Sequence, residues 1–340
     1  MSTNFYPLKV DNIIKETINT VSIELEVPED LKDTFCYEAG QYLTIKQEVK
    51  GEELRRSYSI SSAAVMGEPL KISCKMIDGG RMSTYLYRQL AVGDTLEVMP
   101  PMGSFVLDNQ EAPLVLLAAG SGITPIMSIL KTALKNTQQN IQLVYGNRSE
   151  EEIIFKEELH RLQNAYPNRL LVQHFLSSNG ERVDYERCQS LLNGQSDSKI
   201  QYFVCGPEGM IQSTERALLD AGVNAQQINL EYFSSSDAPE AAPELSGDLN
   251  DVHIIIDDQS HQISLQAGEF ILDAAEREGF DPPYSCQSGV CTTCKAKLLH
   301  GEVNMENNLG LGADEIAEGY ILTCISTPKT AGVKISWDDV

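Results

Sequence analysis

The sequence predicts a multidomain protein with an antiparallel β-barrel, then a doubly wound α/β domain, then a small α+β domain carrying a cluster of cysteines. Three observations carry this reading. Short β-rich runs with turn signals fill residues 1–108; apolar strands alternate with amphipathic helices over residues 109–234; and residues 235–249, poor in large apolar side chains and holding two prolines, separate these from a last domain at 250–340. A chain of 340 residues with 42% hydrophobic content is large enough for two or three packed cores.

The barrel rests on runs at 21–25, 42–45, 70–74 and 95–98, spaced as in all-β barrels. The α/β domain rests on strands at 114–119, 141–145, 170–175, 202–205 and 228–233, with a helix over 126–134 after the first. That alternation implies a parallel sheet with helices on both faces. Residues 235–249 read as an extended linker. Beyond it, 252–256 and 262–265 read as a hairpin, 270–278 as a helix and 333–337 as a last strand.

Charge and composition narrow the function. A net charge of −23 argues against nucleic-acid binding, which depends on Lys and Arg at phosphates. The acids keep the chain dissolved, or steer a basic partner toward it. Residues 251–340 hold 15 acids against 5 Lys or Arg, so a large share of the charge sits on the cysteine-bearing segment. No apolar stretch approaches the length of about 20 residues that crosses a bilayer, and Met1-Ser2-Thr3-Asn4 lacks the basic start of a secretory signal. The expected compartment is the cytoplasm, without membrane insertion. Thiols stay reduced there, so the eight cysteines point to metal binding or buried thiols rather than disulfides.

Four of those cysteines form a pattern. Cys286, Cys291 and Cys294 read C-x4-C-x2-C, and Cys324 follows after an interval of 29 residues. Four thiolates at this spacing suit two bridged irons, the plant-type 2Fe–2S arrangement. The small loop between Cys286 and Cys291 lets backbone N–H groups point at sulfur. Zinc is the alternative, but zinc sites usually show two short Cys pairs, and here one pair is joined by a lone distant Cys.

Two further patterns suit a flavin. Arg56-Ser57-Tyr58-Ser59 places a cation for a pyrophosphate, an aromatic face for an isoalloxazine ring and hydroxyls within four residues. Gly79-Gly80-Arg81-Met82-Ser83-Thr84 opens a helix, and a Gly-rich helix entrance binds anions. Taken singly, the first could be surface residues on a strand and the second an ordinary helix cap. A third pattern suits a nicotinamide dinucleotide: strand 114–119 runs into Gly120-Ser121-Gly122-Ile123-Thr124-Pro125 and a helix. The next strand ends Tyr145-Gly146-Asn147-Arg148-Ser149, with no acid for a ribose 2′-hydroxyl and an Arg suited to a 2′-phosphate. Three glutamates follow at once, and a solvated Arg is the plain alternative. Cys205-Gly206-Pro207 ends a further strand at the ligand-binding edge of such sheets, where Cys205 could equally be a buried structural thiol. Cys36, Cys74 and Cys188 read as core or surface residues, Cys74 lying near the flavin strand.

In order, R-x-Y-S, G-S-G-I-T-P, C-G-P and C-x4-C-x2-C-x29-C resemble the ferredoxin–NADP reductase family with an appended β-grasp-like ferredoxin domain. The segments Gly51-Glu52-Glu53-Leu54-Arg55-Arg56, Tyr145-Gly146-Asn147-Arg148 and Glu318-Gly319-Tyr320-Ile321-Leu322 are similar to the reductase subunits of phenylacetyl-CoA epoxidases. The resemblance implies an NAD(P)H-dependent oxidoreductase with FAD, a 2Fe–2S cluster and NADPH, NADH being possible. It implies FAD contacts from Arg56, Ser57, Tyr58, Ser59, Cys74, Lys75, Gly80, Met82, Ser83 and Thr84. Nucleotide contacts would come from Gly120, Ser121, Gly122, Thr124, Asn147, Arg148, Ser149, Cys205, Gly206 and Pro207, with Ser59 and Cys205 nearest the reacting atoms. Phe233 stands where the reductase part ends and is the expected shield of the flavin's other face. The implied partner is a multi-subunit diiron oxygenase. Other diiron or Rieske hydroxylases, alkane hydroxylases and desaturases are alternatives. A carrier or sensor using only its cluster is a third reading, against which the intact flavin and nicotinamide motifs argue.

Overall fold

The computed structural model describes residues 4–107, 112–192, 199–233, 242 and 250–340, so the expected linker at 235–249, apart from Ala242, lies outside the described residues. The described chain divides into two compact units, Phe5–Glu231 and Tyr232–Val340 with Asn4.

The first unit begins with a six-stranded sheet. Its strands are β1 (Tyr6–Thr17), β2 (Thr20–Glu26), β3 (Tyr42–Val49), β4 (Glu52–Ser59), β5 (Leu70–Lys75) and β6 (Thr95–Val98), in spatial order β4-β3-β6-β1-β2-β5. Neighbouring strands run antiparallel, and a bridge between Ile60 and Ile72 joins the two outer strands, closing the barrel. Helix α1 (Arg81–Arg88) plugs one end through Met82 and Leu86, which join Leu8, Ile23, Leu43, Ile45, Ile72 and Val98 in the core. The motif Arg56 to Ser59 lies inside β4.

The second layer is a five-stranded sheet of β7 (Leu114–Ala119), β8 (Ile141–Asn147), β9 (Leu170–Leu176), β10 (Gln201–Gly206) and β11 (Ile228–Tyr232), in order β11-β10-β7-β8-β9. β7, β8, β9 and β10 pair in parallel. Strand β7 reads L-V-L-L-A-A because both its faces are covered. Helices α2 (Ile123–Asn136), α3 (Lys156–Ala165), α4 (Tyr185–Leu192) and α5 (Glu208–Asp220) alternate with the strands. α2 is longer at both ends than the run at 126–134, since Gly122 serves as its N-cap and Pro125 fits its first turn.

Barrel and α/β sheet form one unit because their junction is buried and specific. Phe105 packs edge-on against Phe203, with ring centres 5.3 Å apart. Ser128 of α2 donates to the Ser62 carbonyl at 2.6 Å. Lys131, 1% exposed, reaches Glu68 of the barrel at 2.6 Å and Glu158 of α3 at 3.1 Å. Two carboxylates around one buried ammonium offset its desolvation.

The second unit is a mixed sheet of β12 (Asp251–Ile256), β13 (Gln259–Ser264), β14 (Lys295–His300), β16 (Tyr320–Leu322) and β18 (Val333–Ser336), ordered β13-β12-β18-β14-β16; β15 (Val303–Met305) pairs with β17 (Ser326–Pro328). β12 runs parallel to β18 and antiparallel to β13, and α6 (Ile271–Arg277) covers the sheet; a short α7 (Ala313–Ala317) precedes β16. Trp337, fully buried, packs among Ile254, Ile335, Ala274 and Ala275. This is the α+β, β-grasp-like arrangement. Among the described residues no helix is long and apolar enough to cross a membrane.

Candidate functional site

The flavin-type motif sits where β4, β5 and α1 meet. Side chains alternate along β4. Tyr58 packs against the barrel core, and its buried phenol meets the Cys74 thiol. Burial pushes Tyr58 well up and Cys74 up to about 12, so both stay neutral. Arg56 is exposed and donates to the Arg55 carbonyl at 2.6 Å. Ser57 and Ser59 point to the opposite face, Ser57 within 3.3 Å of Thr44. Ser59 is buried at 4% exposure, one residue before the bridge that closes the barrel.

Gly80 caps α1 with no side chain over the first turn, so the N–H groups of Arg81, Met82 and Ser83 head the helix. The Met82 side chain is committed to the core, which leaves its backbone for an anion. Ser83 holds the entrance shut by accepting from the Ile77 amide and donating to the Gly80 carbonyl, each at 3.4 Å; the Thr84 amide returns to Gly80 at 3.2 Å. Lys75, at the end of β5, is bound to Glu152 of the α/β layer at 3.0 Å.

The nucleotide-type motifs meet at the carboxyl edge of β7, β8 and β10. Gly120–Gly122 form a tight turn into α2, Gly120 in the left-handed region. A Cβ on Gly122 would lie 2.1 Å from the Cys205 carbonyl oxygen, so the turn after β7 touches the Cys205-Gly206-Pro207 segment. Thr124 donates to the Ser121 carbonyl and the Tyr145 hydroxyl to the Gly120 carbonyl, both at 3.0 Å. Pro207 then caps α5. Asn147, 8% exposed, is buried beside the Tyr145 hydroxyl, and its carboxamide keeps hydrogen-bonding capacity that this neighbour does not fill. A buried amide with capacity to spare at this edge suits a polar ligand.

Arg148 projects outward with 82% of its side chain exposed and its Nε 3.9 Å from Glu152. The three glutamates have separate partners: Glu150 holds Lys156 at 2.7 Å, Glu151 accepts from Ser149 at 2.7 Å, and Glu152 lies between Lys75 and Arg148. Ser149 is thus already bonded within its own turn.

Cys205 is fully buried, its thiol 3.9 Å from the Glu231 carboxylate. Burial pushes Glu231 up to about 8 and the thiol well above its ordinary range, so both are neutral over most of the physiological span. Sequence reasoning missed Glu231. The available signal was a lone carboxylate in the run Ile228-Asn229-Leu230-Glu231-Tyr232-Phe233. Phe233 stands just past β11 with 42% exposure.

In the second unit one loop and one distant turn bring four cysteines together. Cys286 contacts Cys291 and Cys324, and Cys324 contacts Cys294. The amides of Ser288 and Cys291 both point at the Cys286 sulfur, at 3.4 Å. The neighbouring Cys291 and Cys324 thiols, and after them these amides, hold Cys286 well below its ordinary range. Thr293 sits 3.4 Å from the Cys291 sulfur, and the Thr323 hydroxyl donates to the Cys294 carbonyl at 3.0 Å. Gly289 has φ 74, and a Cβ there would come within 3.0 Å of the Asn307 carbonyl. Among the described residues no three His, Cys, Asp or Glu side chains close on a single-ion site. A four-thiol chain with amides aimed at sulfur fits a cluster of two irons.

Comparison with known proteins agrees with this division. Residues 7–107 match an oxidoreductase FAD-binding domain, 116–216 an oxidoreductase NAD-binding domain, and 254–329 a 2Fe-2S iron-sulfur cluster binding domain. The chain is 38% identical to a subunit of the 1,2-phenylacetyl-CoA epoxidase of Escherichia coli (strain K12), over 99% of this chain and 98% of the relative. It is 34% identical to the ferredoxin reductase component of the 3-ketosteroid-9-alpha-monooxygenase of Rhodococcus rhodochrous, over 97% and 96% of the two chains. Its fold matches phthalate dioxygenase reductase with a TM-score of 0.63 at 24% identity, covering 98% of each chain. The chain therefore belongs to the ferredoxin–NADP reductase-type oxidoreductases that carry an FAD-binding domain, an NAD-binding domain and a C-terminal 2Fe–2S domain.

Proposed function

We propose that this protein draws electron pairs from NADPH and delivers them singly to a separate multi-subunit oxygenase, the phenylacetyl-CoA epoxidase of aerobic phenylacetate breakdown. The observation that carries the pathway is the 38% identity to the Escherichia coli epoxidase component along nearly the whole of both chains. Cofactors of this kind bring the redox chemistry, the FAD accepting two electrons at once and the cluster taking one at a time; the protein contributes binding, orientation and electrostatics.

Each residue then has a task. Arg56 and the N–H groups opening α1 hold the FAD phosphates, and Lys75 and Cys74 border the same cradle. Tyr58 would offer its ring and Ser59 its hydroxyl to the flavin. Gly120, Ser121, Gly122 and Thr124 let the dinucleotide backbone lie close against α2, and Asn147, Ser149, Gly206 and Pro207 line its path. Arg148 takes the 2′-phosphate, which favours NADPH over NADH. Cys205, kept as a neutral thiol by its burial beside Glu231, would give the nicotinamide ring an uncharged neighbour. Cys286, Cys291, Cys294 and Cys324 hold the two irons.

The test is NADPH consumption by the full chain with purified oxygenase subunits. Phenylacetyl-CoA should stimulate it several-fold. Stimulation by a steroid monooxygenase component instead, as the 34% relative suggests, would keep the reductase role and move the pathway.

A further inference from the structure

Glu152 is placed where a cation of the proposed flavin cradle and a cation of the proposed dinucleotide site share one carboxylate. One of its oxygens is 3.0 Å from Lys75 at the end of β5, and the other is 3.9 Å from Arg148 beyond β8. The two cations are unlike. Lys75 is 22% exposed and holds the carboxylate closely; Arg148 is 82% exposed and held loosely. Glu152 is itself 15% exposed. It cannot simply swing into solvent as Glu150 can, which is 63% exposed in its pair with Lys156.

We infer that Glu152 is a selectivity residue for the coenzyme, a fixed negative charge that competes with a 2′-phosphate for Arg148 and so narrows the preference for NADPH over NADH. This rests on Arg148 as the phosphate ligand. A 2′-phosphate arriving at Arg148 meets a carboxylate that Lys75 keeps in place, and like charges at this range repel. A coenzyme with a free 2′-hydroxyl meets no such opposition. Glu152 also pairs with Lys75 of the proposed flavin cradle, so its effect on the adenosine end is separated by reading nucleotide fragments rather than turnover.

The test uses the full chain loaded with FAD and iron, and reads binding of 2′-AMP and 5′-AMP by calorimetry rather than turnover. Glu152→Gln should tighten 2′-AMP about three- to fivefold, the scale of a partly exposed charge pair, and leave 5′-AMP unchanged. Arg148→Ala should weaken 2′-AMP, and in that background Glu152→Gln should lose the part of its gain that comes from releasing Arg148. Glu152→Asp, which keeps the charge, should resemble the unaltered protein. Glu152→Ser is a second neutral variant should the Gln form lose flavin. Equal shifts for both probes, or none, in the neutral variants would overturn the inference. An effective Arg148→Ala beside inert neutral variants removes Glu152 alone. An inert Arg148→Ala removes the Arg148 reading, and the competition with it.

Discussion

In the unit Phe5–Glu231, side chains reach one another across long stretches of chain: Lys75 meets Glu152, Cys205 meets Glu231, and the turn at Gly122 touches the Cys205 carbonyl. Two sheets and the junction between them hold those distances. In the unit Tyr232–Val340, three of four thiols lie on one loop of nine residues, Cys286 to Cys294, and only Cys324 comes from elsewhere. The first site is a product of tertiary packing, the second chiefly of local backbone shape. The same perturbation should therefore behave differently in each.

The thiols should respond most strongly. Cys291→Ser removes one of the four proposed ligands and should abolish cluster incorporation, taking iron and acid-labile sulfide from about two per chain to near zero. Flavin content and its reduction by NADPH should be retained, because that site belongs to the other compact unit. Loss of flavin in the same variant would show that the two sites depend on each other for folding.

Next is Gly122→Ala. Its methyl would lie 2.1 Å from the Cys205 carbonyl, a clash with backbone that no rotamer relieves. We expect destabilisation of about 1–3 kcal/mol, the usual range for overpacking, and loss of dinucleotide binding with iron content unchanged. Thermal unfolding and 2′,5′-ADP binding together check it. A stable variant that still binds would mean that the two loops need not touch.

The pH response separates the units further. Glu231 has its folded value raised to about 8 by burial, against an ordinary carboxyl near 4.5. A raised value means that the folded state holds the proton longer, so this stabilisation is complete below pH 4.5 and lost as the pH rises to about 8. The melting temperature of the first unit should fall across that window. Glu231→Gln should flatten the fall. An identical slope in the variant would assign the pH dependence to other groups.

Sequence legibility follows the same contrast. Spacing alone identified the four cysteines, because a loop with four residues between its first two ligands needs little help from the rest of the fold. The parallel sheet was readable because β7 and β10 are apolar on both faces. β1 and β4 escaped notice for different reasons. Two register shifts interrupt the alternation of β1, between Val10 and Asn12 and between Lys15 and Thr17. In β4, Glu52, Glu53, Arg55 and Arg56 hide a barrel strand behind charge. Glu152 and Glu231 were not singled out, since each takes its meaning from a partner 77 or 26 residues away, and for Glu231 the sequence offers only its place as a lone carboxylate in a mostly apolar run. The family resemblance made Lys75 an expected flavin contact, and the structure adds the carboxylate that competes for it.

The weakest response concerns salt. With 15 acids against 5 Lys or Arg over residues 251–340, encounter with a basic oxygenase surface should be steered, and slowed as ionic strength screens charges beyond about 8 Å. Reduction of the flavin by NADPH should change little over the same range. Transfer to the partner that is indifferent to salt would leave the acids as a device for solubility.

Electrons should pass along one chain, from a nucleotide site in its first unit to a metal site in its second. Anaerobic mixing of the full chain with NADPH, followed by absorbance at the flavin and by electron paramagnetic resonance at the cluster, tests this directly. Flavin bleaching should be followed by the signal of a reduced 2Fe–2S cluster, with the second event absent in Cys291→Ser and the first unchanged. A bleached flavin with an iron-loaded cluster that never gains the signal, or four thiols that hold zinc after anaerobic purification, would contradict it.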